Sequence, residues 1–191
     1  MKIKTNSDVY APAEDSFLLA KYVKKLKGKI LEVGCGSGIV ALECAAADKK
    51  NIVEGVDINP EAIKISRENA KLNNIKNIRF YESDLFQNVK GKYDFILFNP
   101  PYLPTKEEEK IKSKLNYAFD GGKNGLETLS KFVRKVKKYL KKDGTVYLIA
   151  SSLCGIDEVK KLLNKNGFKV DVIEEECFFF EKIALLKAKI R

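Results

Sequence analysis

The 191-residue, 21.6 kDa chain is 45% hydrophobic and 32% charged, which fits one globular domain and excludes wholesale disorder, collagen and a disulfide-stapled miniprotein. Its 36 basic and 26 acidic residues leave a net charge of +10, and it has no histidine, so zinc sites and imidazole acid–base chemistry lose their usual residues. Cys35, Cys44, Cys154 and Cys177 form no Cys-x-x-Cys pair, and no apolar run is long enough for a membrane span or a secretory signal, so a cytoplasmic setting is expected.

In chain order, Phe17, Leu18, Leu19, Tyr22, Val23 and Leu26 form a helical stripe over residues 14–26. Pro12, with its fixed φ, suits the start of that helix. Residues 29–34 read as a buried strand, followed by a glycine-rich turn and a small-residue helix over 38–47. A second strand covers 51–57, and Pro60 opens a helix running to Asn73. Further strands are predicted at 77–83 and 93–99. Over 126–142, Leu126, Leu129, Phe132, Val133, Val136, Tyr139 and Leu140 share one face, with lysines opposite. A strand at 144–151, a helix at 156–166 and strands at 168–175 and 179–188 complete the pattern. Alternating β and α units imply a mostly parallel sheet covered on both faces. The last two strands are too close for a helical crossover and must be antiparallel, with their turn expected at Glu174-Glu175-Glu176-Cys177.

The first chemical motif, Glu32-Val33-Gly34-Cys35-Gly36-Ser37-Gly38, ends the first sheet strand, where open parallel sheets bind ligands. A nicotinamide fingerprint would place its third glycine at Ile39, and the preceding Glu32 would repel a diphosphate. Asp57 ends the second strand, placed to accept from ribose hydroxyls, and Asp84-Leu85 follows the third, offering an acceptor and an apolar contact for a purine. Three acids at successive strand ends suit a positively charged nucleoside. S-adenosylmethionine fits; NAD and ATP fit poorly.

The second motif, Asn99-Pro100-Pro101-Tyr102, ends the fourth strand, where two prolines stop the ladder. They leave the Asn99 side-chain oxygen and the Pro100 carbonyl free as acceptors. A planar –NH2 group held between two acceptors is oriented toward a sulfonium methyl and favoured in its nucleophilic form, with no histidine base. Tyr102 offers a face for stacking.

Together these motifs resemble class I S-adenosylmethionine-dependent methyltransferases of the HemK-like group, which methylate the glutamine of the Gly-Gly-Gln motif in translation release factors. The segment from Val9 to Ser16 resembles the archaeal and eukaryotic branch, where the residue matching Ser16 lies near the cofactor. Phe119-Asp120-Gly121-Gly122-Lys123-Asn124-Gly125 resembles that branch's loop after the signature. Bacterial relatives carry an N-terminal helical substrate domain, which is expected to be absent here. In the shorter branch a small zinc-binding activator takes over part of its role, implying a heterodimer.

The expected architecture is therefore a Rossmann-like, seven-stranded sheet of order 3-2-1-4-5-7-6 with the last strand antiparallel. Residues 1–191 form one methyltransferase domain, in which an arm and helix over 1–28 cover the cofactor site. Ser16, Glu32, Gly34, Gly36, Gly38, Asp57, Asp84, Leu85 and Asn99 are the expected cofactor-binding residues. Asn99, Pro100 and Tyr102 carry catalysis, the same three with Pro101 frame the substrate, and no metal is expected. The runner-up substrate is the exocyclic amine of adenine or cytosine in DNA or RNA, since a flipped base presents the same –NH2 geometry. A third reading is a non-catalytic cofactor- or RNA-binding scaffold, for which paired acceptors serve no purpose.

The charge is uneven: residues 1–30 hold seven basic and three acidic groups, and residues 106–143 hold twelve and six. Such an excess suits a polyanion such as RNA, and equally the Lys/Glu-rich surface of a heat-adapted protein. Lys131, Arg134, Lys135, Lys137, Lys138, Lys141 and Lys142 read as a solvated helix face before a nucleic-acid surface. Cys35 reads as a small filler, and Asp120 and Lys123 either order the loop over the substrate or mark a surface turn.

Overall fold

The computed structural model describes residues 1–105 and 116–191. The first part of the basic 106–143 segment, residues 106–115, lies outside the described residues. The elements run α1 (Glu14–Val23), β1 (Lys29–Val33), α2 (Ile39–Ala47), β2 (Ile52–Asp57), α3 (Pro60–Leu72), β3 (Ile78–Glu82) and β4 (Tyr93–Phe98). There follow α4 (Asn116–Phe119), α5 (Glu127–Val136), β5 (Leu140–Ser151), α6 (Ile156–Lys165), β6 (Phe168–Cys177) and β7 (Lys182–Ile190). The seven strands form one sheet of order β3-β2-β1-β4-β5-β7-β6. β1 pairs in parallel with β2 and β4 on its two sides, while β7 runs antiparallel between β5 and β6. This is the expected topology.

Two apolar clusters cover the two faces of the sheet. Leu18, Leu19 and Val23 of α1 pack with Val40 and Leu42 of α2 and Ile63 of α3 on one side. Phe132, Val133 and Val136 of α5 pack with Val159 and Leu163 of α6 on the other. The strongly one-sided pattern of α5, with buried Leu129, Phe132, Val133 and Val136, leaves Lys131, Arg134 and Lys135 in solvent, as expected of an amphipathic helix. Lys141 pairs instead with Asp94 at 2.8 Å, and the Lys137 ammonium lies 5.3 Å from the Phe168 ring centre.

Several boundaries differ from the sequence reading. α1 begins at Glu14 after Ala13 rather than at Pro12, and closes at Val23. The helix expected over 126–142 ends at Val136, and a 3-10 turn at Lys137–Tyr139 passes into β5 at Leu140, which pairs with Tyr93. Leu140 is buried in the same cluster as Phe132, Val133 and Val136, so its apolar character extended the helical stripe in the sequence past the end of the helix. The final turn is also displaced: Glu174 through Cys177 lie within β6, and the chain reverses at residues 178–181, where Phe178 N–H donates to Glu181 C=O at 2.7 Å. β6 is an edge strand with little burial alternation and a register shift between Val172 and Glu174, so its polar residues resemble a turn.

The N-terminal arm is stitched onto α3 by asparagines. Asn69 and Asn73 each accept an arm N–H and donate back to the same residue's C=O, at Lys4 and Lys2, over 2.7–3.0 Å. The Asn59 amide donates to Asp8 C=O at 2.8 Å while its oxygen caps α3 by accepting from Glu61 N–H at 3.0 Å. These side chains replace a missing strand partner for the arm.

Candidate active site

A cavity of about 540 Å³ opens at the carboxyl ends of β1, β2, β3 and β4, within the range of small-molecule sites. Its described lining contains seven carboxylate residues and one cation, Lys131. That balance opposes the chain's net charge of +10. A cationic ligand is favoured there and a polyphosphate is repelled.

Ser16, Glu32, Gly34, Gly36, Asp57, Asp84, Leu85, Asn99, Pro100, Pro101 and Tyr102 all line this cavity. The three loop glycines each have positive φ, at 66° for Gly34, 50° for Gly36 and 83° for Gly38. Their surroundings differ. A Cβ on Gly36 would meet nothing within 4 Å, whereas one on Gly38 would lie 2.9 Å from both the Phe80 ring and Ser66. Gly38 lies outside the lining residues and is a packing glycine. Phe80, buried on β3, also lies 2.5 Å from where a Gly55 Cβ would be, so two glycines make room for one ring.

Glu32 is 3% exposed, and its Oε2 accepts from Ala41 N–H at 2.9 Å, tying β1 to α2. Burial pushes its carboxyl well above the usual range, Ala41 opposes this, and the Asp57 field adds to it. Asp57 Oδ2 accepts from Gly36 N–H and Oδ1 from Asn59 N–H, both at 2.9 Å. Burial raises the Asp57 carboxyl too, against the pull of backbone N–H groups from Asn59, Gly36 and Ile58. Both acids are thus held rigidly and gain from a nearby positive charge. Leu85 has φ of 49°, an unfavourable left-handed conformation for a branched residue. Ser83 Oγ braces it by donating to Leu85 C=O at 3.0 Å.

Asn99 supplies the decisive geometry. Its Nδ2 donates to Asp15 Oδ2 at 2.9 Å, and its Oδ1 is, among the described residues, the one buried side-chain polar atom without a partner. A carboxylate only accepts, so the amide nitrogen must face Asp15 and the amide oxygen is left for a ligand. An unmet buried acceptor costs about 1–3 kcal/mol, which an incoming N–H donor would recover.

Asp15, Tyr10 and Glu181 also line the cavity and were not singled out by the sequence reading. Asp15 follows Glu14 in the first turn of α1, where acids ordinarily serve the helix dipole. Burial, then the Asp15 field, raises the hydroxyls of Tyr10 and Tyr102, so both remain neutral donors at physiological pH. Cys35 is 4% exposed, and burial followed by the Asp57 field keeps its thiol protonated, in keeping with a filler. Asp120 orders its own loop, its Oδ1 accepting from Gly122 N–H at 2.9 Å, and Leu103 N–H and C=O bond to Phe119 and Gly121 at 3.1 and 3.0 Å. The loop thereby clamps the segment after Tyr102, and a Cβ on Gly125 would collide with the Tyr102 carbonyl.

Comparison with known proteins agrees with this geometry. The methyltransferase small domain family model matches residues 1–179. A Methanocaldococcus jannaschii protein, named for protein N5-glutamine methylation, is 52% identical over 189 residues, covering 98% of this chain and 95% of that one. The human methyltransferase HEMK2 is 33% identical, covering 85% and 81% of the two chains. The Schizosaccharomyces pombe eRF1 methyltransferase catalytic subunit mtq2 is 30% identical, covering 90% and 84%. In fold, the E. cuniculi Mtq2–Trm112 complex superposes with a TM-score of 0.74 at 22% identity, covering 96% of this chain and 99% of that chain. No described helix is long and apolar enough to cross a membrane. The chain belongs to the methyltransferase small domain family, in its HemK-like archaeal and eukaryotic type, and is an S-adenosylmethionine-dependent methyltransferase.

Proposed function

We propose that this enzyme methylates the side-chain amide nitrogen of the glutamine in the Gly-Gly-Gln motif of a class I translation release factor. The observation that carries this reading is the Asn99 amide, its nitrogen held by Asp15 and its oxygen buried and unpaired. A primary amide has a hydrogen to give that oxygen and a second for the Pro100 carbonyl. The names of the M. jannaschii and S. pombe relatives support the same substrate class.

The residues fit the cofactor: an acidic cavity suits its sulfonium and ammonium groups, and the open face at Gly36 admits close approach. Asp57 would accept from the ribose hydroxyls, Asp84 and Leu85 would serve the adenine, and Ser16, Glu32, Gly34 and Gly36 the remainder. S-adenosylmethionine supplies an electrophilic methyl group. Asn99 and Pro100 would each take one hydrogen of the substrate –NH2 and so orient the nitrogen with its lone pair drawn out of conjugation, and Tyr102 would offer a face to the amide plane. The transfer would exchange the methyl's bond to sulfur for one to nitrogen, leaving the cofactor a neutral thioether and releasing one amide proton to solvent. Residues 1–28 form the arm and helix that close over the cofactor within one domain spanning 1–191.

The acidic lining weighs against the nucleic-acid runner-up, because a phosphate backbone would have to approach carboxylates. The protein works in the cytoplasm with a small zinc-binding activator as heterodimer partner; of this reading, the E. cuniculi Mtq2–Trm112 complex, one chain of which shares this fold, supports the protein partner. The exposed rings of Phe179 and Phe180, in contact with each other in the β6–β7 turn, supply apolar surface for such a partner. The test is incubation with release factor, RNA and unmethylated DNA, with and without the activator, followed by location of the methyl group by mass spectrometry. Methylation of the glutamine, stimulated by the activator, is the expected result. Adenine methylation with the release factor untouched would overturn the reading.

A further inference from the structure

We propose that Asp15 is a positioning residue of the methyl-transfer site, whose carboxylate locks the Asn99 amide with its oxygen toward the substrate. This deepens the proposed function and rests on it. Asp15 is 5% exposed and lies 84 residues from Asn99 in sequence, so their contact exists only in the folded protein. Its Oδ2 accepts from Asn99 Nδ2 at 2.9 Å, Tyr10 Oη at 3.1 Å and Tyr102 Oη at 3.4 Å. Its Oδ1 accepts from Ser16 N–H at 2.5 Å, from Ser16 Oγ at 3.2 Å and from Tyr10 Oη at 3.2 Å. One carboxylate therefore joins the arm, the cofactor-side Ser16 and two residues of the substrate signature.

The orientation has a chemical consequence. An asparagine amide can rotate by half a turn at little steric cost, exchanging its oxygen and nitrogen. In the flipped state its –NH2 would face the –NH2 of the substrate, donor against donor. Asp15 removes that state, because a carboxylate has no hydrogen to offer the amide oxygen. The site is thereby set to receive a nucleophile that donates hydrogen, such as an amide, and to disfavour one that only accepts, such as a carboxylate.

An exchange of partners tests this. Asp15→Asn loses the obligate acceptor, and Asn99→Asp places two carboxylates in contact, so each single variant should lose about tenfold or more in kcat. The double variant Asp15→Asn/Asn99→Asp restores one donor and one acceptor with their places exchanged, and still turns an oxygen toward the substrate. It should recover kcat by about tenfold over the weaker single variant, the scale of coupling between residues in one network. The losses and the recovery are read in kcat at saturating S-adenosylmethionine, because Asn99 and Ser16 also face the cofactor and its KM is expected to move with them. Thermal melts establish that each variant is folded, and because every change exchanges groups of equal size, packing alone predicts no recovery. Losses that simply multiply in the double variant, or a folded Asp15→Asn enzyme with wild-type kcat, would overturn the assignment. Wild-type enzyme runs beside them: if it methylates the release-factor glutamine while the exchange fails, only the role of Asp15 falls. If wild type leaves that glutamine unmodified, the proposed function falls first.

Discussion

Glu54 and Asp15 are both buried carboxylates, 2% and 5% exposed, and each takes hydrogen bonds from two tyrosine hydroxyls. Their remaining partners differ. Glu54, on β2, is completed by Arg79 at 2.9 Å and Lys29 at 3.4 Å, so two cations neutralise it. Burial works to raise its carboxyl, but Tyr81, Arg79 and Tyr93 outweigh that and hold it below the ordinary glutamate value. Asp15 is served, among the described residues, only by neutral donors, and one of them is an amide whose other end stays unpaired. The closed network at Glu54 serves the fold. The network at Asp15 passes an unmet hydrogen-bonding demand to a ligand, which is what a site for transfer to nitrogen needs.

Asn99→Ala should break the open network most severely, lowering turnover at saturating cofactor by at least about 10²-fold in single-turnover assays. Wild-type turnover in this variant would remove the unpaired oxygen from the mechanism. Asp57→Ala should weaken S-adenosylmethionine binding by about 1.5–3 kcal/mol with the fold retained, as read by calorimetry. An unchanged affinity would take Asp57 out of the cofactor site.

On the closed side, Glu54→Gln should cost about 1–3 kcal/mol in urea unfolding and leave kcat of the folded enzyme unaltered. The pH dependence follows from the lowered Glu54 carboxyl. Its contribution is full above the unfolded value, about 4.3, and is lost as pH falls through the folded one, so the gap between wild type and variant should close in acid. A gap that widened there would contradict the sign. The smallest effect belongs to Glu32: burial raises its carboxyl, and a cationic ligand beside it favours the ionised form. Cofactor binding should therefore release a fraction of a proton, measurable by calorimetry in two buffers of different ionisation enthalpy, with affinity rising with pH.

The alternation of strands and helices and the two signature loops were legible because periodicity and turn residues are local properties, whereas the sheet order followed from the family resemblance that those loops carry. Asn99, Gly36 and Asp57 stand at strand ends, where topology alone aims them at one cavity. Asp15 was not legible, since an acid in the first turn of a helix is explained by the helix itself. Only the arrival of Asn99 beside it gives it a second role. The β6–β7 turn misled for the opposite reason. Phe178, Phe179 and Phe180 have strand propensity yet form the turn, with Phe179 93% exposed, while the acidic run before them pairs with β7.

Phe80 has an effect that reaches past its own packing. Wedged against the bare backbones of Gly55 and Gly38, its ring welds the cofactor loop to the sheet before any ligand arrives. The conformational entropy of ordering that loop is then spent during folding rather than at binding. Cofactor affinity is in this sense inherited from the hydrophobic core. Gly55, which does not line the cavity, becomes a place where a single added methyl would loosen the grip on a ligand it never touches.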